Sequence, residues 1–253
     1  MSQFDMAGKV AIVTGSSRGI GEAIAHEMAD HGAKIVITSR NIGPCEAVAA
    51  AINDKHPGAA IAVASSLSSK ESLQAMVDAG CAAFGKVDIL VCNAASNPHY
   101  GPMATITDEQ FRKTLDNNIV AQHWLITMVA PDMLARKSGS IIIVSSIGGL
   151  RGTPIIGAYG ITKAADIQMA KNLAREFGPH NVRINCIAPG LVKTDFARGL
   201  WEDPENLKHS IAGACLGRIG EPHEIAGAAV FLASEASSFM TGQTIVIDGG
   251  VVV

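Results

Sequence analysis

Two periodicities exchange along this chain: short β-branched runs alternate with longer stretches whose apolar residues recur at helical spacing. Such alternation is the signature of repeated βαβ units on a parallel sheet. The strand runs are Val10 to Thr14, Lys34 to Thr38, Ala60 to Ala64, Ile89 to Cys92, Ser140 to Val144, Arg183 to Ile187 and Thr244 to Ile247. Helical stretches cover Cys45 to Asp54, Ser69 to Phe84, Asp108 to Leu134, Ala158 to Phe177 and Pro222 to Leu232. Between the first two strands, Ile20, Ala23, Ile24 and Met28 share a helix face that ends at Gly32. The expected fold is therefore α/β, a Rossmann-type, doubly wound, parallel seven-stranded sheet with helices on both faces. At 253 residues a sheet of this kind forms one domain, so residues 1–253 are expected to be a single domain. Residues 190–220 break the rhythm and hold Phe196, Trp201 and Pro204. A long irregular segment in a compact domain is commonly a lid or binding loop, and this one is expected to cover the substrate.

Bulk properties exclude several functions. With 48% hydrophobic residues, 17% charged residues and a net charge of -3, the chain is expected to be globular, and no basic run offers a footprint for nucleic acid. Its five cysteines form no CxxC pair, which argues against a disulfide framework and for a reducing, cytoplasmic setting. No signal-type start and no apolar run near ~18 residues is present, so neither secretion nor a membrane span is expected. The histidines show no HExxH or similar cluster, so no catalytic metal is expected. His99 sits in a loop, Asn97 to Tyr100, and reads either as a pocket residue or as an ordinary surface histidine.

The first strand runs into Thr14-Gly15-Ser16-Ser17-Arg18-Gly19-Ile20-Gly21, a glycine-rich turn that opens a helix. A turn of this type lets backbone N–H groups and a positive helix end approach a pyrophosphate. Its GxxxGxG spacing differs from the GxGxxG dinucleotide fingerprint, and a purely structural turn is the alternative. Farther along, Tyr159 and Lys163 stand four residues apart, on one helix face. A tyrosine near its reference pKa of about 10 is a poor acid-base catalyst at neutrality, but an adjacent cation stabilises its phenolate. A solvated helix face is the other reading of that pair. Ser146 follows the fifth strand, at the carboxyl end that faces the cofactor crevice in such sheets, where it either holds a reacting oxygen or merely ends a strand in a turn.

Together these pieces resemble the short-chain dehydrogenase/reductase family, and the resemblance spans essentially the whole chain. It implies a Ser146, Tyr159 and Lys163 catalytic set, with Asn118 of Asp116-Asn117-Asn118-Ile119 as the proton-relay anchor. It implies cofactor contacts from Gly15, Ser17, Arg18, Gly19, Ile20 and Gly21 in the first turn, and from Asn93 and Ala94 after the fourth strand. Pro189, Gly190, Val192 and Thr194 would form the segment over the nicotinamide, and Tyr159 and Lys163 would contact the cofactor as well. The usual Asn-Asn-Ala-Gly motif here reads Cys92-Asn93-Ala94-Ala95, so Asn93 keeps only part of that role. Where many members carry an adenine-contacting Asp, this chain reads Ser65-Ser66-Leu67, which leaves Ser66 and Leu67 as weaker substitutes. The run Asn93 to Pro98 looks like that of the carbonyl and retinal reductase branch.

At the end of the second strand an acid would bind the ribose of NAD and repel the extra phosphate of NADP. Ser39 occupies that position, and Arg40 follows it. NADP(H) is therefore the expected preference, with NAD(H) possible. The resemblance implies a small-molecule ketone, aldehyde or secondary alcohol as substrate; 3-oxoacyl carrier-protein reduction shares every motif, and a cofactor-binding sensor or scaffold without turnover is the non-enzyme reading. Helices 108–134 and 158–177 carry more apolar residues than one buried stripe requires, and relatives in the family bury them between subunits, so a homotetramer is expected.

Overall fold

The computed structural model describes residues 2–253, the side chains of Asn206 and His209 excepted. Seven strands are present: β1 (Val10–Thr14), β2 (Lys34–Ser39), β3 (Ala60–Ala64), β4 (Ile89–Cys92), β5 (Gly139–Val144), β6 (Val182–Pro189) and β7 (Thr244–Ile247). They form one parallel sheet in the order β3-β2-β1-β4-β5-β6-β7. β6 is longer than its hydrophobic run because Val182 pairs with Gly139 at one end and Pro189 with Ile247 at the other. Register with neighbours, which local composition does not encode, sets these ends.

Five long helices flank the strands without internal surprise: α1 (Gly19–Asp30), α2 (Ile42–Lys55), α3 (Lys70–Phe84), and, numbered below in chain order, α6 (Gly157–Phe177) and α9 (His223–Ala233). The stretch expected as one helix over 108–134 is instead α4 (Asp108–Leu115), a π-helical turn at Asp116–Val120, and α5 (Ala121–Arg136). π turns occur frequently at functional sites, and this one contains the buried Asn118. The segment 190–220 is also more ordered than expected, since it holds α7 (Arg198–Trp201) and α8 (Pro204–Ile211). Its two ends are pinned together where Gly220 N donates to Leu191 O and Lys193 N to Gly220 O, both at 2.9 Å.

Every residue of β1 is buried, as expected of a strand covered on both faces. Its side chains alternate between two cores. Ala11 and Val13 join Ile24, Met28, Ile52 and Val230 on one face, whereas Ile12 joins Met76, Leu125, Met133 and Ile167 on the other. Strand order reverses between β1 and β4, and a crevice opens there beyond the carboxyl ends of the strands. No helix among the described residues is long and apolar enough to cross a membrane.

Candidate active site

The turn after β1 needs glycine at two points, because Gly15 and Gly19 have φ of +66° and +62°, where a Cβ is disfavoured. Thr14 sews this turn to the one after β4: its hydroxyl donates to Val91 O at 3.2 Å and accepts from Asn93 N at 2.9 Å and Ala94 N at 3.0 Å. Asn93 returns a bond from Nδ2 to Thr14 O, 2.9 Å. Gly21 lies behind this wall and not in the cleft, and a Cβ there would strike the Gly15 carbonyl and the Asn93 amide. No side chain caps the first N–H groups of α1, so they point an uncompensated positive end at the crevice. Arg18 itself ion-pairs with Asp195 at 3.3 Å, which ties the turn to the 190–220 segment.

The cleft has a volume of about 1060 Å³. On the β2 and β3 side it is lined by Ser39, Arg40, Ser66 and Leu67; over the β1–β4 switch by Gly15, Ser17, Arg18, Gly19, Ile20, Asn93 and Ala94; and on the β5 and β6 side by Ser146, Tyr159, Lys163, Pro189, Gly190, Val192 and Thr194. An elongated cleft with a glycine cradle and free helix amides midway fits a dinucleotide. Ser39 Oγ bonds Asn41 O and Cys45 Sγ, each at 3.1 Å, and Ser66 Oγ bonds Ser68 Oγ at 2.9 Å.

At the far end, Ser146 follows β5 and caps a short turn by accepting from Gly148 N at 3.0 Å. Ser146 shares this end of the cleft with Tyr159, which stands in the first turn of α6. Phe196 from the 190–220 segment packs on the Tyr159 ring at 5.8 Å between centroids, and the Tyr100 hydroxyl donates to the Phe196 carbonyl at 3.0 Å. Burial pushes the phenol above its ordinary value; Lys163 and Ser146 pull it down, while Asp166 and Tyr100 push it up. The lysine acts in the expected direction, but desolvation outweighs it.

Two sequence expectations, Lys163 and Asn118, are placed differently by the structure, and His99 takes the surface reading. Lys163 Nζ is 5.5 Å from the Tyr159 ring centroid, yet it is buried and donates to Val144 O and Asp166 Oδ2, both at 2.9 Å. Asn118 is fully buried behind the cleft wall: its Oδ1 accepts from Ser96 N at 2.8 Å, and its Nδ2 donates to Ser96 O at 2.9 Å and Thr162 Oγ1 at 3.1 Å. Its carbonyl is taken by the Gln122 amide, and Asn117 lines the cleft instead. His99 is absent from the lining and bonds its own loop, at Pro102 O (3.2 Å) and Thr105 Oγ1 (3.3 Å). Among the described residues no group of three His, Cys, Asp or Glu side chains is placed to hold a metal. Sequence reasoning gave no role to Tyr100 or Asp166. Only Asp166 carried a readable signal, being one helical turn from Lys163.

A parallel sheet with this switch-point crevice and a serine, tyrosine and lysine at its reducing end defines a nicotinamide-type oxidoreductase site. The family model described as enoyl-(acyl carrier protein) reductase matches residues 15–252. A dehydrogenase/reductase SDR family member 4 from Oryctolagus cuniculus is 39% identical over 245 residues, covering 97% of this chain and 94% of the relative. A 3-oxoacyl (acyl-carrier-protein) reductase from Agrobacterium tumefaciens, solved with NADP bound, superposes with a TM-score of 0.90 at 37% identity, covering 98% of this chain and 95% of that one. A gluconate 5-dehydrogenase from Burkholderia cenocepacia, solved with NADP and tartrate, gives 0.93 at 32% identity, with 98% and 97% covered. The chain belongs to the short-chain dehydrogenase/reductase family and is an oxidoreductase acting on CH–OH and C=O groups.

Proposed function

We propose that the protein reduces a small ketone or aldehyde, or oxidises the matching secondary alcohol, with NADP(H), and that Ser146, Tyr159 and Lys163 manage the single proton. The convergence of these three side chains at one end of a cleft sized for a dinucleotide carries this reading. When bound, the nicotinamide supplies or takes the hydride. Ser146, beside the phenol in the cleft, orients and polarises the carbonyl oxygen. Tyr159 donates its proton to the developing alkoxide, and the Lys163 ammonium stabilises the phenolate left behind. Oxidation runs through the same groups in reverse. Asn118 supports this end from behind by tying Ser96 to Thr162. Gly15, Ser17, Gly19 and Ile20 cradle the pyrophosphate; Ser66 and Leu67 flank the adenine; and Pro189, Gly190, Val192 and Thr194 cover the nicotinamide. Gly21 serves that cradle through packing alone.

The 190–220 segment covers the substrate, with Phe196 and Leu200 on the cleft wall and Trp201 turned away to donate to Thr194 O at 2.9 Å. The exposed Arg151 at the cleft suits an anionic substrate and keeps carrier-bound 3-oxoacyl thioesters as the second reading. A panel of ketones, dicarbonyls, acyl thioesters and secondary alcohols, followed by nicotinamide absorbance, tests the assignment. Turnover of a ketone or alcohol is the expected result. Turnover confined to thioesters favours the second reading, and cofactor binding with no turnover favours a sensor.

The five cysteines are unpaired, which suits a reducing compartment such as the cytoplasm. A homotetramer is the proposed assembly. Much of the apolar excess in α4 and α5 is used inside the chain, since Leu125, Ile126 and Val129 are buried and Trp124 and Met128 pack against that core. Apolar surface remains elsewhere: Ile161 on α6, and Leu216, Phe239 and Val246 near the edge strand β7 are exposed. Light scattering at micromolar concentration is expected to give four times the chain mass, and a stable monomer rejects the assembly.

A further inference from the structure

The Lys163–Asp166 pair is unusual for its position. Its two side chains are 1% and 0% exposed, and Nζ lies 2.9 Å from Oδ2. The second carboxyl oxygen, Oδ1, has no hydrogen-bond partner, nor has the neighbouring Gln122 Oε1. Replacing a buried ion pair with apolar side chains is often neutral or stabilising, so a half-satisfied buried carboxylate is not there for stability alone. Its effect is electrostatic, on an ammonium that sits 5.5 Å from the Tyr159 ring.

We propose that Asp166 is a positioning residue for the reaction: a buried counter-ion that holds the Lys163 ammonium against the Val144 carbonyl and offsets that ammonium's pull on the Tyr159 proton. The inference rests on Tyr159 being the proton donor. Without Asp166, Lys163 would present an uncompensated positive charge to the phenol and favour phenolate. With it, the pair is nearly neutral and the phenol keeps its proton, which is the form that reduction consumes. The other titratable groups facing this cluster are Cys92 from β4, Cys186 from β6 and Tyr100 from the loop beyond β4. Burial pushes both thiols up, Cys186 to about 12, so neither supplies negative charge at moderate pH. Tyr100 is exposed. That leaves Asp166 as the carboxylate that acts on this ammonium.

The sign is definite. Asp166 raises the phenol, so it extends proton donation to higher pH. In Asp166→Asn, which keeps the shape and removes the charge, the alkaline limb of kcat/KM for reduction should fall by about one pH unit. Asp166→Glu, which keeps the charge, should hold the limb close to its original pH. A readout independent of turnover is available because the chain has two tyrosines, Tyr100 and Tyr159. Ultraviolet phenolate titration, with Tyr159→Phe subtracted, isolates Tyr159, and its midpoint should fall in Asp166→Asn by the same amount. Loss of rate at every pH with limb and phenol midpoint unmoved would make Asp166 merely structural and overturn the proposal. If the Asn variant does not accumulate, Asp166→Ser makes the same neutral substitution in a smaller side chain. Retained turnover in Tyr159→Phe would sink the proton-donor reading instead, and the phenol titration would still measure the action of Asp166 separately.

Discussion

Tyr159→Phe is expected to lower turnover by at least about 100-fold, the lower end of the contribution typical of general acid-base groups, while leaving cofactor affinity nearly unchanged. The substitution removes one oxygen and keeps the ring, so the contact with Phe196 at 5.8 Å and the first turn of α6 persist. In the transition state the alkoxide has no proton to take, while the Ser146 hydroxyl keeps its bond from Gly148 N. The ammonium of Lys163 stays anchored to Val144 and Asp166, so little else rearranges. Steady-state rates together with fluorescence titration of NADPH check both halves. A variant with near-normal turnover on a true substrate would show that the proton comes from elsewhere.

The second large effect is expected in cofactor choice. Arg40→Ala should weaken NADPH by about tenfold or more, as a charge-assisted hydrogen bond is worth ~1.5–3 kcal/mol, and should leave NADH nearly untouched. Ser39→Asp should act in the opposite sense on the two cofactors, gaining the ribose hydroxyls of NADH and repelling the phosphate of NADPH. The fold tolerates the new carboxylate, because residue 39 ends β2 just before α2, whose N-terminal cap makes no side-chain hydrogen bond. A negative charge near that positive helix end is favourable. Of Arg18 and Arg40, Arg40 is expected to be the stronger phosphate ligand, because Arg18 is paired with Asp195. Titrating both cofactors against the parent and the two variants measures the change in ratio. Tighter NADH than NADPH binding by the parent protein would reverse the assignment.

The strand core was legible in the sequence because its determinants are local. β1, β3, β4 and β7 begin and end where their hydrophobic runs do; β1 and β4 are buried at every residue, and a strand buried on both faces must be apolar throughout. The glycine turn was equally legible, as φ of +66° and +62° at Gly15 and Gly19 favours glycine. Tyr159 and Lys163 fell on one helix face by spacing alone, and Ser146 by its place after a strand.

Partner-dependent features were not legible. The turn at Asp116–Val120 is π-helical, and its buried Asn118 hydrogen-bonds Ser96, 22 residues earlier in the chain. No propensity within 108–134 encodes that bond. Short helices in 190–220 likewise rest on contacts such as Trp201 with Thr194, and the ends of that segment on Leu191 meeting Gly220. The direction of the lysine is the clearest case. Spacing placed Lys163 beside Tyr159, but the side chain turned inward because folding brought the Val144 carbonyl from β5 and the Asp166 carboxylate into one dry pocket. In that low-dielectric surrounding an unpaired ammonium is too costly to bury, so the charge follows its partners. Which residues could do the chemistry is thus a matter of residue type and spacing. What state they rest in, and where each charge points, follows from desolvation and long-range contacts that exist only once the sheet has assembled.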